Sequence, residues 1–164
     1  MQKTFLFFIF FISALGYSQK KLDKLLKKYN SEKIPYIYVN ELKSYPDNII
    51  LLDAREQREY ATSHLKDAIA VGYDFFNIDS TSKKIPNKNS KVVVYCSLGI
   101  RSEDIAEKLQ KAGYKNVFNL FGGIFEWKNN LQKVYNLKEQ ETDSVHAFSK
   151  DWGKWLQKGI KVYE

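Results

Sequence analysis

Between residues 34 and 130, short dense apolar runs alternate with stretches of helical periodicity, and that alternation sets the expected architecture. The strongest run is Lys91-Val92-Val93-Val94-Tyr95-Cys96, three adjacent valines between a turn and a glycine-containing loop. β-Branched residues in unbroken sequence predict a strand covered on both faces. Residues 34–39, 49–53, 68–71 and 117–120 read as further strands. Helices are predicted over 57–64, over 102–112 with Gly113 in the stop position, and from Gly122-Gly123 through Trp127. The stretch from 72 to the turn at Ile85-Pro86-Asn87-Lys88-Asn89 reads as loop. Strand and helix in alternation predict an α/β fold of three layers, a parallel sheet of about five strands with helices on both faces.

The chain ends follow other patterns. Leu22, Leu25, Leu26 and Tyr29 recur at helical spacing with lysines opposite, so 19–33 is expected to be a basic amphipathic leader, able to touch an anionic membrane surface at most weakly. At the other end, 131–164 forms an aromatic-rich extension in which Phe148, Trp152, Trp155 and Leu156 share one helical face. That face is expected to be helical and to dock on the domain, with no catalytic group. His146 stands alone there and reads as a surface or packing residue.

Residues 1–18 have the layout of a secretory signal peptide: Lys3, an apolar stretch over 5–15 broken only by Ser13, then Gly16 and Ser18 ahead of a cut before Gln19. The apolar stretch is short for a membrane span, which wants about 20 residues. The expected location is therefore periplasmic or extracellular.

Composition changes the picture in three places. With 164 residues, 44% of them hydrophobic and 27% charged, the chain suits one globular domain. Its net charge is +7, of which residues 1–18 carry only Lys3, and the excess is lysine spread over the surface rather than arginine interleaved with aromatics; no nucleic-acid partner is expected. A positive field does help to draw in a small anion. Cys96 is the single cysteine, so in an oxidising compartment it cannot close an intramolecular disulfide and is either inert, intermolecular or reactive.

Its neighbours favour reactive. Cys96 ends the central strand and precedes a loop that feeds a helix, the place where open α/β sheets bind ligands and where a helix N-terminus offers free N–H groups. Thiols in such places ionise with pKa values of roughly 3.5–7.5. Gly99 lets the loop curl so that its amides converge, Arg101 adds permanent positive charge, and Ser102 is placed to cap the helix or to hydrogen-bond the sulfur. The loop Cys96, Ser97, Leu98, Gly99, Ile100, Arg101 and Ser102 thus reads as a cradle for an oxyanion or a persulfide.

That loop resembles the active loop of rhodanese domains. Leu52-Asp53-Ala54-Arg55 with Glu59, Tyr60 and His64-Leu65 is similar to the family's earlier signature, and Gly122-Gly123 with Trp127 to its closing one. The resemblance implies the rhodanese-like fold and a sulfurtransferase without cofactor or metal. In it, Cys96 as catalytic nucleophile takes a sulfane sulfur from a donor such as thiosulfate and passes it to cyanide or a thiol, which is in some cases a protein thiol. The loop from Ser97 to Ser102 binds substrate, Arg101 meeting the sulfonate. Asp53, Arg55, Glu59, His64, Gly122, Gly123 and Trp127 take structural roles: Arg55 and Glu59 as an i, i+4 ion pair, His64 bracing the backbone, Trp127 in the core. The sequence departs from the signature at Ser63 and Asp67, where glycines are usual, and Asp is a residue that tolerates the left-handed backbone. The alternatives are a non-catalytic interaction module and a cysteine phosphatase. The phosphatase loop is one residue longer than the four residues that separate Cys96 from Arg101 here.

Overall fold

The computed structural model describes residues 20–45 and 48–163. The expected signal peptide at 1–18 lies outside them. The chain divides into two units, residues 1–32 and residues 33–164. In the first, residues 20–29 form a helix, α1, with Leu22 and Leu26 buried, its lysines exposed and a Lys27–Asp23 ion pair of 3.0 Å. Tyr29, expected on the apolar face, is instead exposed, with the Lys28 ammonium 5.3 Å from its ring centre.

The second unit is built on a five-stranded sheet. Its strands are β1 (Tyr36–Ile37), β2 (Ile49–Asp53), β3 (Ile69–Ala70), β4 (Lys91–Tyr95) and β5 (Asn116–Leu120), paired in the order β1-β5-β4-β2-β3 and all parallel. Helices α2 (Val39–Ser44), α3 (Gln57–Thr62), α4 (Ile78–Lys84) and α5 (Arg101–Lys111) make the four connections, and α6 (Gly123–Asn129) follows β5. Val92, Val93 and Val94 of β4 are all fully buried. Neighbours along a strand point to opposite faces, so both faces of the sheet are covered. One face packs Val92, Val94, Leu52 and Val117 against Ile105, Ala106 and Leu109 of α5. This is the three-layer parallel α/β arrangement that the alternation predicts.

Two helices were not expected. The run 34–39 reads as one strand, but only Tyr36–Ile37 pairs; Val39 opens α2 and is buried one turn before Leu42, and the Tyr38 N–H donates to the Glu41 carboxylate at 2.8 Å. α4 is nearly all polar and buries only Thr81, so it has no apolar stripe to reveal it. Its signal is the cap: Asn77 accepts the Ser80 N–H at 2.8 Å.

The extension departs most from expectation. Instead of a helix over 148–156 there is a single 3-10 turn, Trp152–Trp155, between strands: β6 (Val134–Tyr135) pairs antiparallel with β7 (Glu141–Thr142), and β8 (Ser144–His146) pairs parallel with β9 (Ile160–Val162). β-Branched residues at 145, 160 and 162 suit strands, and Phe148 takes a left-handed backbone, φ +64°, which no helix admits. Val145, Ala147 and Leu156 are fully buried, and β8 packs on α3. Trp127 is corrected too. It is half-buried rather than core, because its indole N–H reaches out to the Lys133 carbonyl at 2.9 Å.

Candidate active site

β4 delivers Cys96 to the carboxyl edge of the sheet, and the chain then turns through residues 97–100 into α5. The turn is tight because Gly99 sits at φ +103°, with a Cβ there falling 3.2 Å from the Leu120 carbonyl oxygen. This conformation aims the Gly99 amide back at the cysteine, N to Sγ 3.1 Å. From the outside, α6 closes the ring: the Ile124 and Phe125 amides donate to the carbonyls of Cys96 and Ser97 at 2.9 and 3.2 Å. Gly123 permits this approach, since a Cβ on it would stand 2.2 Å from the Cys96 carbonyl oxygen. Gly123 is therefore a spacer that lets a helix end touch the loop backbone, while the Gly99 amide turns inward to the sulfur.

Cys96 is buried, with 2% of its surface exposed. Burial alone pushes a thiol up; here the Arg101 charge, hydrogen bonding from Ser102 and the Gly99 amide outweigh burial and draw it below its ordinary 9.0. Ser102 does not cap α5; its hydroxyl lies 3.5 Å from the sulfur and 2.8 Å from Asn119 Oδ1. Asn119 is fully buried on β5, and its amide nitrogen donates to the Gly99 carbonyl at 2.8 Å and to Glu103 at 3.0 Å. With both amide protons committed, its oxygen is left to accept from Ser102. One hydroxyl proton thus has two acceptors, Asn119 and the sulfur.

Arg101 is held by Glu59. Its terminal nitrogens meet the two carboxylate oxygens at 2.7 and 2.8 Å, and Ser97 Oγ bridges the pair at 3.1 and 3.2 Å. Glu59 is fully buried on α3 and also accepts the Glu56 N–H at 3.0 Å. Burial raises its carboxyl, but Arg101, with Arg55 behind it, pulls the net value below the ordinary 4.5. The expected Arg55–Glu59 pair is not formed. Arg55 turns back to Asp53 at the end of β2, 2.6 Å, and to the Ser63 carbonyl at the end of α3, 2.6 Å, whereas Glu59 faces the loop.

His64 lies against backbone rather than in the loop. Its ring stacks on Tyr60 at 4.0 Å with Nδ1 3.1 Å from the Tyr60 carbonyl, and its main chain pairs with Tyr135. Of the two departures from the signature, Ser63 is in extended backbone that any residue adopts. Asp67 takes φ +59°, the left-handed region aspartate tolerates.

A cavity of about 150 Å³ opens onto Cys96, walled by Ser97, Leu98, Ile100 and Arg101 of the loop and by Phe148 and Trp152 of the extension. The Arg101 guanidinium carbon is 5.0 Å from the centre of the Phe148 ring. The Phe148 amide donates to Nδ1 of buried His146 at 3.1 Å, which holds the left-handed turn in place. The structure thus brings Cys96, the loop to Ser102, Glu59 and Gly122-Gly123 together, and leaves Asp53, Arg55, His64 and Trp127 outside the cavity. Sequence reasoning missed Asn119, Glu103, His146 and the two aromatic walls. Asn119 had a signal, a polar residue between apolar ones near the end of a buried strand; Phe148 and Trp152 had none beyond the spacing that put them on one predicted helical face.

Residues 18–130 match the rhodanese-like domain family. The chain is 36% identical over 101 residues to a tRNA uridine(34) hydroxylase from Hamiltonella defensa, covering 58% of this chain and 27% of that protein. It is 33% identical over 81 residues to the thiosulfate sulfurtransferase GlpE of Coxiella burnetii, covering 49% of this chain and 73% of that enzyme. For the hydroxylases of Hamiltonella defensa and Prochlorococcus marinus the chain spans 27% and 49% of the relative's length. Among solved structures, a thiosulfate sulfurtransferase from Pseudomonas aeruginosa superposes with a TM-score of 0.60 at 23% identity, over 85% of this chain and 26% of that one. A rhodanese-like domain from Anabaena gives 0.57 at 22% identity, over 65% and 82%. At those identities the likeness is one of fold. The family match ends at residue 130, so Phe148 and Trp152 lie beyond it.

Proposed function

This chain belongs to the rhodanese-like domain family, and from that premise we propose that it is a sulfurtransferase that carries a sulfane sulfur on Cys96. The observation that carries the reading is the Gly99 amide 3.1 Å from a sulfur whose ionisation is favoured. A thiolate attacks the terminal sulfur of an anionic donor such as thiosulfate; a new S–S bond forms, the donor's bond breaks, and sulfite leaves with the electron pair. In the second half, cyanide or a thiol attacks the outer sulfur and the Cys96 thiolate is released. The Gly99 amide and the Ser102 hydroxyl stabilise the sulfur anion in both halves, and no separate base is needed.

A non-catalytic module would have no use for a walled cysteine whose ionisation is favoured. Hydroxylation of a tRNA uridine, the activity in some relatives' names, belongs to proteins of which this chain matches a part. The signal-peptide pattern of residues 1–18 supports a periplasmic or extracellular setting for the transfer, with small sulfur compounds or protein thiols as the acceptors proposed there.

The test is steady-state thiocyanate production from thiosulfate and cyanide by the purified chain. Turnover that is lost in Cys96→Ser is the expected result, and turnover equal in the two proteins removes the reading.

A further inference from the structure

The cavity over Cys96 has a second property that the sulfur chemistry alone does not require. Beyond the polar edge of Ser97 and Arg101, its walls are apolar: Leu98 and Ile100 from the loop, Phe148 and Trp152 from the extension. Arg101, the one permanent positive charge in those walls, is also held by the Glu59 carboxylate at both terminal nitrogens, so part of its charge is already offset. A small dianion such as thiosulfate would lose hydration against the apolar walls without filling them. A monoanion with an apolar group would lose less and would bury that group against the aromatics. The volume, about 150 Å³, is that of a space which accepts one benzene-sized ring.

The wall is also built at a cost. Phe148 holds a left-handed backbone, φ +64°, an arrangement that is strained for a bulky side chain and clusters at functional sites. It is sustained by the hydrogen bond from its amide to buried His146, and it leaves the ring over Arg101 rather than in the core. A packing role would not explain a side chain that remains 44% exposed.

We propose that Phe148 and Trp152 select an organic sulfur donor, a thiosulfonate whose apolar group lies against the two rings while its terminal sulfur faces Cys96. This rests on Cys96 being the sulfur carrier. For a thiosulfonate, the Cys96 thiolate attacks the outer sulfur, the Cys96 S–S bond forms, the bond between that sulfur and the sulfonyl sulfur breaks, and the organic sulfinate leaves with the electron pair. Charge and sulfur balance without an outside oxidant.

The experiment compares kcat/KM for benzenethiosulfonate and for thiosulfate, with cyanide as acceptor, in the full chain and in Phe148→Gly and Trp152→Ala. The glycine relieves the backbone strain, and melting temperatures check that both variants fold. The expected ratio in the native chain favours benzenethiosulfonate by roughly tenfold or more, collapsing toward one in the variants. A native ratio near one, or a ratio the variants leave unaltered, overturns the aromatic selection while sulfur transfer stands. If neither donor yields a persulfide by intact mass, the sulfur-carrier reading itself fails and takes the selection with it.

Discussion

Arg101 and Glu59 form a fork-to-fork pair, 2.7 and 2.8 Å, across the gap between α5 and α3, with Ser97 Oγ lodged against both. The pair fixes the far end of the cysteine loop to a different element of the fold. Through it, the position of the guanidinium that favours the Cys96 thiolate is set by α3 rather than by the loop itself. Glu59 is a positioning residue, and Arg101 supplies the charge.

Replacing Glu59 by Gln removes the carboxylate but keeps the shape, leaving a largely buried guanidinium without its counter-charge. The expected loss of stability is about 3 kcal/mol, read from chemical denaturation. Sulfur loading should fall as well, since the guanidinium loses its fixed direction. Unchanged stability and loading would mean that Glu59 is incidental.

The same pair sets an acid limit. Glu59 has a folded value depressed below its ordinary 4.5, so its stabilising contribution is complete above that value and is withdrawn as pH falls through the lower, folded one. Stability measured from pH 6 downward to roughly 3 should therefore drop more steeply in the native chain than in Glu59→Gln. Parallel curves would contradict the depressed ionisation.

Cys96 alkylation by iodoacetamide should titrate with a midpoint below 9.0. Arg101→Gln should move that midpoint upward, because the first charge that opposes the burial penalty is gone. A midpoint at or above 9.0 in the native chain would show that burial wins.

The glycines give a graded series. Gly123→Ala puts a Cβ 2.2 Å from the Cys96 carbonyl oxygen at φ +53°, a backbone collision, and should cost more than about 3 kcal/mol and disrupt the loop. Gly113→Ala adds a Cβ at φ +93° with nothing within 4 Å, so it meets only the left-handed penalty of about 1–2 kcal/mol. Equal thermal shifts for the two would refute the close approach of α6 to the loop.

What the sequence disclosed follows from where its physics is local. The triple valine of β4, the glycine at 99 and the stop at Gly113 act through neighbouring backbone, and the central strand, the loop and α5 were legible from them. Contacts made across the fold were not. Arg55 and Glu59 look like partners at i, i+4, yet each finds its counter-charge elsewhere, at Asp53 two residues back and at Arg101 far along the chain. The aromatic stripe at 148–156 suggested a docked helix, but a left-handed Phe148 and the β8–β9 pairing turned it into a wall of the cavity. No local pattern announces a residue recruited from the end of the chain to a loop fifty positions earlier.

The most direct measurement is the intact mass of the purified chain after a single incubation with thiosulfate or benzenethiosulfonate, followed by cyanide. One added sulfur atom, mapped to Cys96, absent in Cys96→Ser and removed by cyanide with an equal amount of thiocyanate formed, is the predicted result. A chain whose mass stays unchanged with both donors, while Cys96 remains open to alkylation, would contradict the account at its centre.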